Sequence, residues 1–188
     1  MAILPNQAPD AASKIARDEL ELRAPFRGRS TITFGGELPP SLGAMPVFNL
    51  SVTALLASRH EDALFVGWRY VQLRPGAPTG EIVEVAADAE GLSMSSAGYA
   101  EGFLARRIAD AAMSAHQQFD ASAEAYEARI LRLPEIHMEA LWLHSQGNPD
   151  KDHFYGIPSS QKHLVDDAFI EAGRVLGEIH RTMNSDAT

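Results

Sequence analysis

Arg129–Ser160 reads RILRLPEIHMEALWLHSQGNPDKDHFYGIPSS, an apolar-rich run, a polar turn and a short aromatic run in direct succession. Taken as a strand, Glu135–His144 sends Ile136, Met138, Ala140 and Trp142 to one face and Glu135, His137, Glu139, Leu141 and Leu143 to the other. The first face is apolar throughout. The second changes from charged to apolar along its length, as the outer face of a partly covered strand does. SQGNPDKD then supplies the Gly, Pro, Asn and Asp that a chain reversal needs, and HFYGIP resumes with strand-favouring aromatics. The stretch predicts a β-hairpin. A helix competes for the same residues, because Pro134 suits a first helical turn, Glu135 stands beside it and Gly147 lies beyond His144. On the strand reading Pro134 has no N–H to give a ladder, so pairing begins after it, or it lies on an edge or at a bulge.

Downstream, Ser159 or Ser160 caps a helix whose stripe is Leu164, Val165, Ala168, Phe169, Ala172, Val175, Leu176, Ile179 and Met183, with Asp166 and Asp167 near its start and His180 and Arg181 near its end. Upstream, Ser95 or Ser96 caps a second helix to about Gln118, built on Tyr99, Phe103, Leu104, Ile108, Ala111, Ala112, Ala115 and Phe119. DASAEAYEA either prolongs it or bends into a second piece before Ile130. Three strands precede these elements. Alternation from Val47 to Leu56 gives the first, the β-rich LFVGWRYVQL gives a strand covered on both sides, and EIVEVAA gives the third.

The order predicts an α+β fold: a mostly antiparallel sheet of about five strands with two long amphipathic helices packed on one face. Residues 1–46 hold six of the eleven prolines together with Gly28, Gly35, Gly36 and Gly43, the composition of an N-terminal arm or extended segment. Within the arm, Asp10 caps a short helix to about Leu22 and Ser30–Phe34 suits a short strand. Residues 47–184 form the single α+β domain and 185–188 a tail, which suits a chain of 188 residues.

With no cysteine, disulfides, thiolate nucleophiles and Cys-containing zinc sites are excluded. Eight basic side chains face seven acidic ones up to Gly80 and eight face eighteen after it, so the first part carries +1 and the second −10 of the net −9. Such a surface repels phosphate backbones, and no nucleic-acid partner is expected, the trio Arg23, Arg27 and Arg29 reading as solvated charge. No 18-residue apolar run suits a membrane, and MAILPNQAPDAASK lacks the basic start and apolar core of a signal peptide. A cytoplasmic location is expected.

No phosphate loop, dinucleotide fingerprint, nucleophile elbow or HExxH pair occurs. Asn148, Asp150 and Asp152 mimic the start of a calcium loop, but His153 stands where Gly is needed and Ser159 where Glu is needed. A hairpin turning at Asn148 and Pro149 would set His144 across from His153, close enough for both imidazoles and Asp152 to share a divalent metal. His137 and Glu139, two apart on one strand face, are the candidate general base and its orienting carboxylate. No cofactor follows from either group. Trp68, Tyr70, Trp142, Phe154 and Tyr155 fall on neighbouring strands, and any of them exposed on a bare sheet face would form an interface.

The leading expectation is a non-enzymatic interaction or assembly module, a homo-oligomer or a binder of another protein, using a bare sheet face or edge and the arm. The alternatives are a small-molecule binding domain with its pocket between helices and sheet, and a metal-dependent or acid/base enzyme at the 144–153 hairpin end.

Overall fold

The computed structural model describes residues 3–4, 6–23, 43–51, 53–54, 57, 59–73, 80–98, 103–119, 121–136, 138–157 and 170–171. These residues build one sheet from β1 (Ile3–Leu4), β2 (Ala44–Asn49), β3 (Leu64–Leu73), β4 (Gly80–Asp88), β5 (Gly91–Gly98), β6 (Tyr126–Leu133), β7 (Met138–Ser145), β8 (His153–Ile157) and β9 (Ile170–Glu171). Helices α1 (Asp10–Arg23) and α2 (Phe103–Phe119) complete it. The strand order is β5-β4-β3-β2-β6-β7-β8-β9, and β1 also lies on β6. The ladders are antiparallel except for β1 and β2, which both run parallel to β6, against Tyr126–Glu127 and Ile130–Arg132 respectively. Asn6 stitches the join between them, donating from Nδ2 to the carbonyls of Ala44 at 3.1 Å and Ala128 at 2.8 Å.

This overturns the sheet of about five strands carrying two helices on one face. Among the described residues the sheet has nine strands. The two described helices, α2 and α1, the latter expected only as a short helix of the arm, lie on opposite faces. Neighbouring residues of a strand point opposite ways. Tyr70, Val83 and Val85 pack with Ala12, Ala16 and Leu20 of α1, while Val71 and Ile82 pack with Ile108, Ala112 and Ala115 of α2. The α1 stripe is mostly alanine at four-residue spacing, which brings the helix close to the sheet.

Three further elements differ from the sequence reading: β2 is Ala44–Asn49, with Thr53 and Ala54 helical, where the alternation predicts a strand over Val47–Leu56. Gly91–Gly98 is strand β5, and α2 begins at Phe103 instead of after Ser95 or Ser96. Tyr126–Leu133 is strand β6 and not a helical continuation, because Tyr126, Ala128 and Ile130 complete the core beneath α2. The hairpin stands: a 3-10 turn at Pro134–Ile136 leads into β7, and a second at Pro149–Lys151 joins β7 to β8. The C-terminal helix expected from Ser159 or Ser160, and the strand expected at Ser30–Phe34, lie outside the described residues. Of that span only Ile170–Glu171 is described, and it forms β9 against His153 and Phe154 of β8, where helix is expected.

A β-bulge decides which side chains share a face. Val47 pairs with Gly67 and the next residue, Phe48, with Phe65, leaving Val66 unmatched on β3. Beyond it the parity of β3 inverts, and Phe65 joins Phe48 and Trp68 at ring-centroid distances of 5.6 and 5.8 Å. A second register shift between Glu84 and Val85 leaves Ser95 unmatched on β5. No helix among the described residues is long and apolar enough to cross a membrane.

Candidate functional site

On the α2 face, side chains stand in rows set by the strand registers. One row runs Glu84, Arg69, Met45, Ala128, Leu143; the next runs Ala86, Gly67, Val47, Ile130, Leu141; the third runs Asn49, Arg132, Glu139, Ile157. The middle row is nearly bare at its β3–β4 end, because Gly67 and Ala86 put almost nothing there. Arg69 and Glu84 therefore lean across it and meet the third row.

The result is a closed ring of four charges. Arg69 donates from Nε to Glu84 Oε1 at 2.6 Å, and from Nη1 and Nη2 to the two Glu139 oxygens at 2.7 Å each. Arg132 donates from Nε to Glu139 Oε1 at 2.8 Å and from Nη2 to Glu84 Oε1. Each guanidinium thus bridges both carboxylates. Arg69 and Glu139 stand three strands apart, about 14 Å across a flat sheet. That is farther than two side chains rising from a flat sheet can span, so the sheet curls towards this face. Arg69 is 2% exposed and Glu84 7%.

Burial alone would raise the Glu139 carboxyl, but hydrogen bonding and charge from Arg69, then Arg132, hold it at about 2 against an ordinary 4.5. Burial would likewise lower Arg69, and its two carboxylate partners reverse this and raise it. With the folded value of Glu139 depressed, its contribution to stability is complete above about pH 4.5 and is lost as the pH falls towards 2. The difference in unfolding free energy between the native protein and Glu139→Gln, followed by urea titration, should accordingly shrink over that interval. A constant difference would show that the carboxylate is not held by the ring.

A cavity of about 210 Å³ opens beside the ring, lined by Val47, Asn49, Val66, Gly67, Ala86 and Ser95 with Glu84 and Arg132 at its charged side. Both bulges lie on its wall. Asn49 faces Arg132 in register across β2 and β6. Its Oδ1 is buried and accepts no hydrogen bond among the described residues, which for a buried acceptor costs about 1–3 kcal/mol.

A second polar group lies on the opposite face. Asp152, fully buried, accepts from Trp142 Nε1 at 2.7 Å and from the Ser145 amide at 2.7 Å, while His144 Nδ1 lies 3.1 Å from its Oδ2. This fixes one end of the hairpin and anchors the imidazole. Asp152→Asn turns one of those acceptors into a donor, and should cost about 1–3 kcal/mol in urea unfolding. An unchanged midpoint would remove the carboxylate from the account of the hairpin.

The sequence candidates are thus dispersed. Glu139 belongs to the ring, and His137 lies outside the described residues. His144 and Asp152 meet, but Leu143 and not His144 pairs with His153, so the two imidazoles lie on opposite faces. His153 instead packs against Phe119 with its ring tilted and against Tyr126 edge to face, at centroid distances of 4.7 and 5.7 Å. Asp150 is exposed in the turn. Among the described residues no group of three or more His, Asp or Glu could hold a metal ion. Of the five aromatics, Tyr70, Trp142, Phe154 and Tyr155 are buried and Trp68 half-buried. Arg129 lies over the rings of Phe48 and Trp142 at 4.7 and 4.8 Å, further covering that cluster.

Arg69, Glu84, Asn49 and Arg132 were not singled out from sequence. A signal existed: each arginine or glutamate of the ring interrupts an apolar strand, in WRYV, IVEVA, ILRLP and HMEAL. A charge at a position that a strand covered on both sides gives to the core must find a buried partner.

The chain is an α+β domain with an antiparallel-rich sheet, carrying a neutral ionic ring beside a small cavity on the curled face. No family model, no curated protein and no solved structure matches it.

Proposed function

We propose that the protein is a small-molecule binding domain whose ligand occupies the cavity beside the Arg69, Glu84, Arg132 and Glu139 ring. The observation that carries this reading is the coincidence of that ring with the gap over Gly67 and Ala86. Stability alone gives no reason for the ring. A buried ion pair recovers little beyond its own desolvation, and well-packed apolar side chains of similar volume do as well or better. Here four charges are instead held rigid at the edge of a space that a larger residue at 86 would close. A pre-formed concave site with few fixed polar groups is the ordinary form of a ligand pocket, although this one is small.

Ala86→Leu tests the reading, since it fills the gap without touching the ring. In a thermal-shift screen against small polar compounds, the native protein should gain melting temperature with a subset of them, by the mass-action rule that ligand binding to the native state stabilises it. The Leu variant should fold and lose those gains. Gains that persist in Ala86→Leu would overturn the cavity as the site.

A second reading, self-association of two copies, is favoured by exposed Phe65 at 43%, Met94 at 48% and Leu64 at 71%. It predicts a dimer mass in light scattering that Phe65→Ser abolishes, and a monomer would dispose of it.

A further inference from the structure

We infer that two copies of this chain join through β5, each pairing Gly91–Gly98 antiparallel with the same strand of the other, so that one sheet runs through both. The interface rests on the second reading, self-association, and lies at a strand edge, away from Phe65. β5 ends the sheet: it pairs with β4 on one side and, among the described residues, with no strand on the other. Gly91, Ser93, Met94 and Ser95 are exposed. Ser93 and Met94 look to opposite faces, so both faces are open there together with the rim between them. Such a rim is a row of N–H and C=O groups without a ladder, which proteins that stay single guard with charges, prolines or very short strands. GLSMSSAG has eight residues, no charge and no proline.

The partner is a second copy because the strand is complementary to itself. Set against itself in reverse, GLSMSSAG brings Gly91 opposite Gly98, Leu92 opposite Ala97, Ser93 opposite Ser96 and Met94 opposite Ser95. A regular strand could not use that register, since opposite residues of a two-fold pair share a face and residues three, five or seven apart do not. The bulge at Ser95 removes the conflict. Leu92 and Ala97 stand opposite Ala87 and Val83 of β4, and Ser93 and Ser96 stand opposite Ala86 and Glu84, so each couple occupies positions of one face. A bulge can itself blunt an edge, but in this register each copy's bulge lies on the axis, facing the other's. Charge agrees. At a net −9, two copies repel across most of their surfaces, and β5 gives them a neutral strip at which to meet.

Helix α1 is placed to close on its copy. It lies over β4 and β5, so with neighbouring strands about 4.8 Å apart the two α1 axes come about 10 Å apart, the spacing of packed helices. Ser13 Oγ lies 3.2 Å from Tyr70 Oη of β3 and marks the flank of α1 that looks into the sheet. At about 100° per residue, Ile15 and Leu22 stand on the opposite flank, towards β5 and the copy. Leu22 is 71% exposed and Met94 48%. Pairing gives both an apolar cover that one chain alone does not supply.

The test uses the full chain, whose lack of cysteine makes introduced thiols specific. Light scattering should give the native protein twice the 20.4 kDa of one chain. Met94→Glu, with folding checked by its melting curve, should give the mass of one. Ser93→Cys and Ser96→Cys are then oxidised separately and as a mixture. The mixture should form a disulfide-linked dimer at least tenfold faster than either variant alone. Positions 93 and 96 lie opposite across the axis, whereas the two copies of position 93 stand about 10 Å apart along the strands, beyond the reach of about 7 Å that a disulfide allows. Phe65→Ser should keep the dimer. Equal cross-linking in the mixture and in the separate variants would overturn the β5 register. A dimer lost in Phe65→Ser and kept in Met94→Glu would overturn β5 alone and leave self-association standing. A monomeric native protein would overturn both.

Discussion

Arg69→Met is expected to lower the unfolding free energy by about 3–5 kcal/mol, the range found when one partner of a buried pair is removed. Met matches the aliphatic stem but leaves Glu84 and Glu139 with Arg132 alone, and Arg69 is the ring member with the least exposure. Urea titration at neutral pH measures the loss. Acidification supplies a second check. Without Arg69, burial acts on Glu139 with less opposition, so its carboxyl takes up a proton at a higher pH than in the native protein. The gap between variant and native protein should therefore narrow as the pH falls through the ordinary carboxylate range. Replacing all four ring residues by apolar side chains of similar size should restore stability or exceed it, while abolishing ligand binding. A single variant within about 1 kcal/mol of the native protein would mean that the four charges do not act as a unit.

Gly67→Ala should be comparably damaging for a different reason. Gly67 has φ of 150°, a backbone conformation that L side chains rarely adopt, and a Cβ there would sit 2.2 Å from the Val85 carbonyl oxygen. Backbone strain of about 1–3 kcal/mol adds to about 1–3 kcal/mol for forcing atoms into a packed site. The obstacle is main chain of the adjacent strand, which cannot swing aside as a side chain could. Relief requires the β3–β4 ladder to open beside the bulge. Hydrogen exchange should accordingly rise at Gly67 and Ala86 before it rises in β7. A variant as stable as the native protein would show that the two strands can separate locally at little cost.

The parts of the fold that were legible are those where apolar alternation is complete. β7 shows it in Met138, Ala140 and Trp142 against Leu141 and Leu143, and the turn residues beyond Ser145 mark the reversal. β5 was missed because GLSMSSAG has too few large apolar residues to alternate. Its Ser95 and Ser96 read equally well as the cap of α2, since serine serves both purposes. β6 was missed because alanine and glutamate in EAYEARIL favour a helix, and only the sheet overrides that preference. Asp10–Leu22 reads as a short helix of the arm, yet as α1 it covers one side of the sheet: β3 and β4 are apolar on both sides, so each face needs its own cover. The bulge at Val66 has no sequence signature beyond Gly67. The ring was illegible as a set because its members come from strands up to 70 residues apart, and only the register brings them together. His144 and His153 failed as a pair through a single step of register, which sends a side chain to the other face.

The parallel contact of β2 with β6 has a consequence during synthesis. Residues 44–98 emerge before α2 and β6 and can fold as the meander β2 to β5, but the strand that seals the free rim of β2 is made only after α2. In that interval Arg69 lacks Glu139 and Glu84 lacks Arg132, and Met45 and Val47 lie beside an unsatisfied backbone. Until β6 pairs with it, β2 presents an unpaired strand edge, the kind of rim through which incompletely folded chains associate.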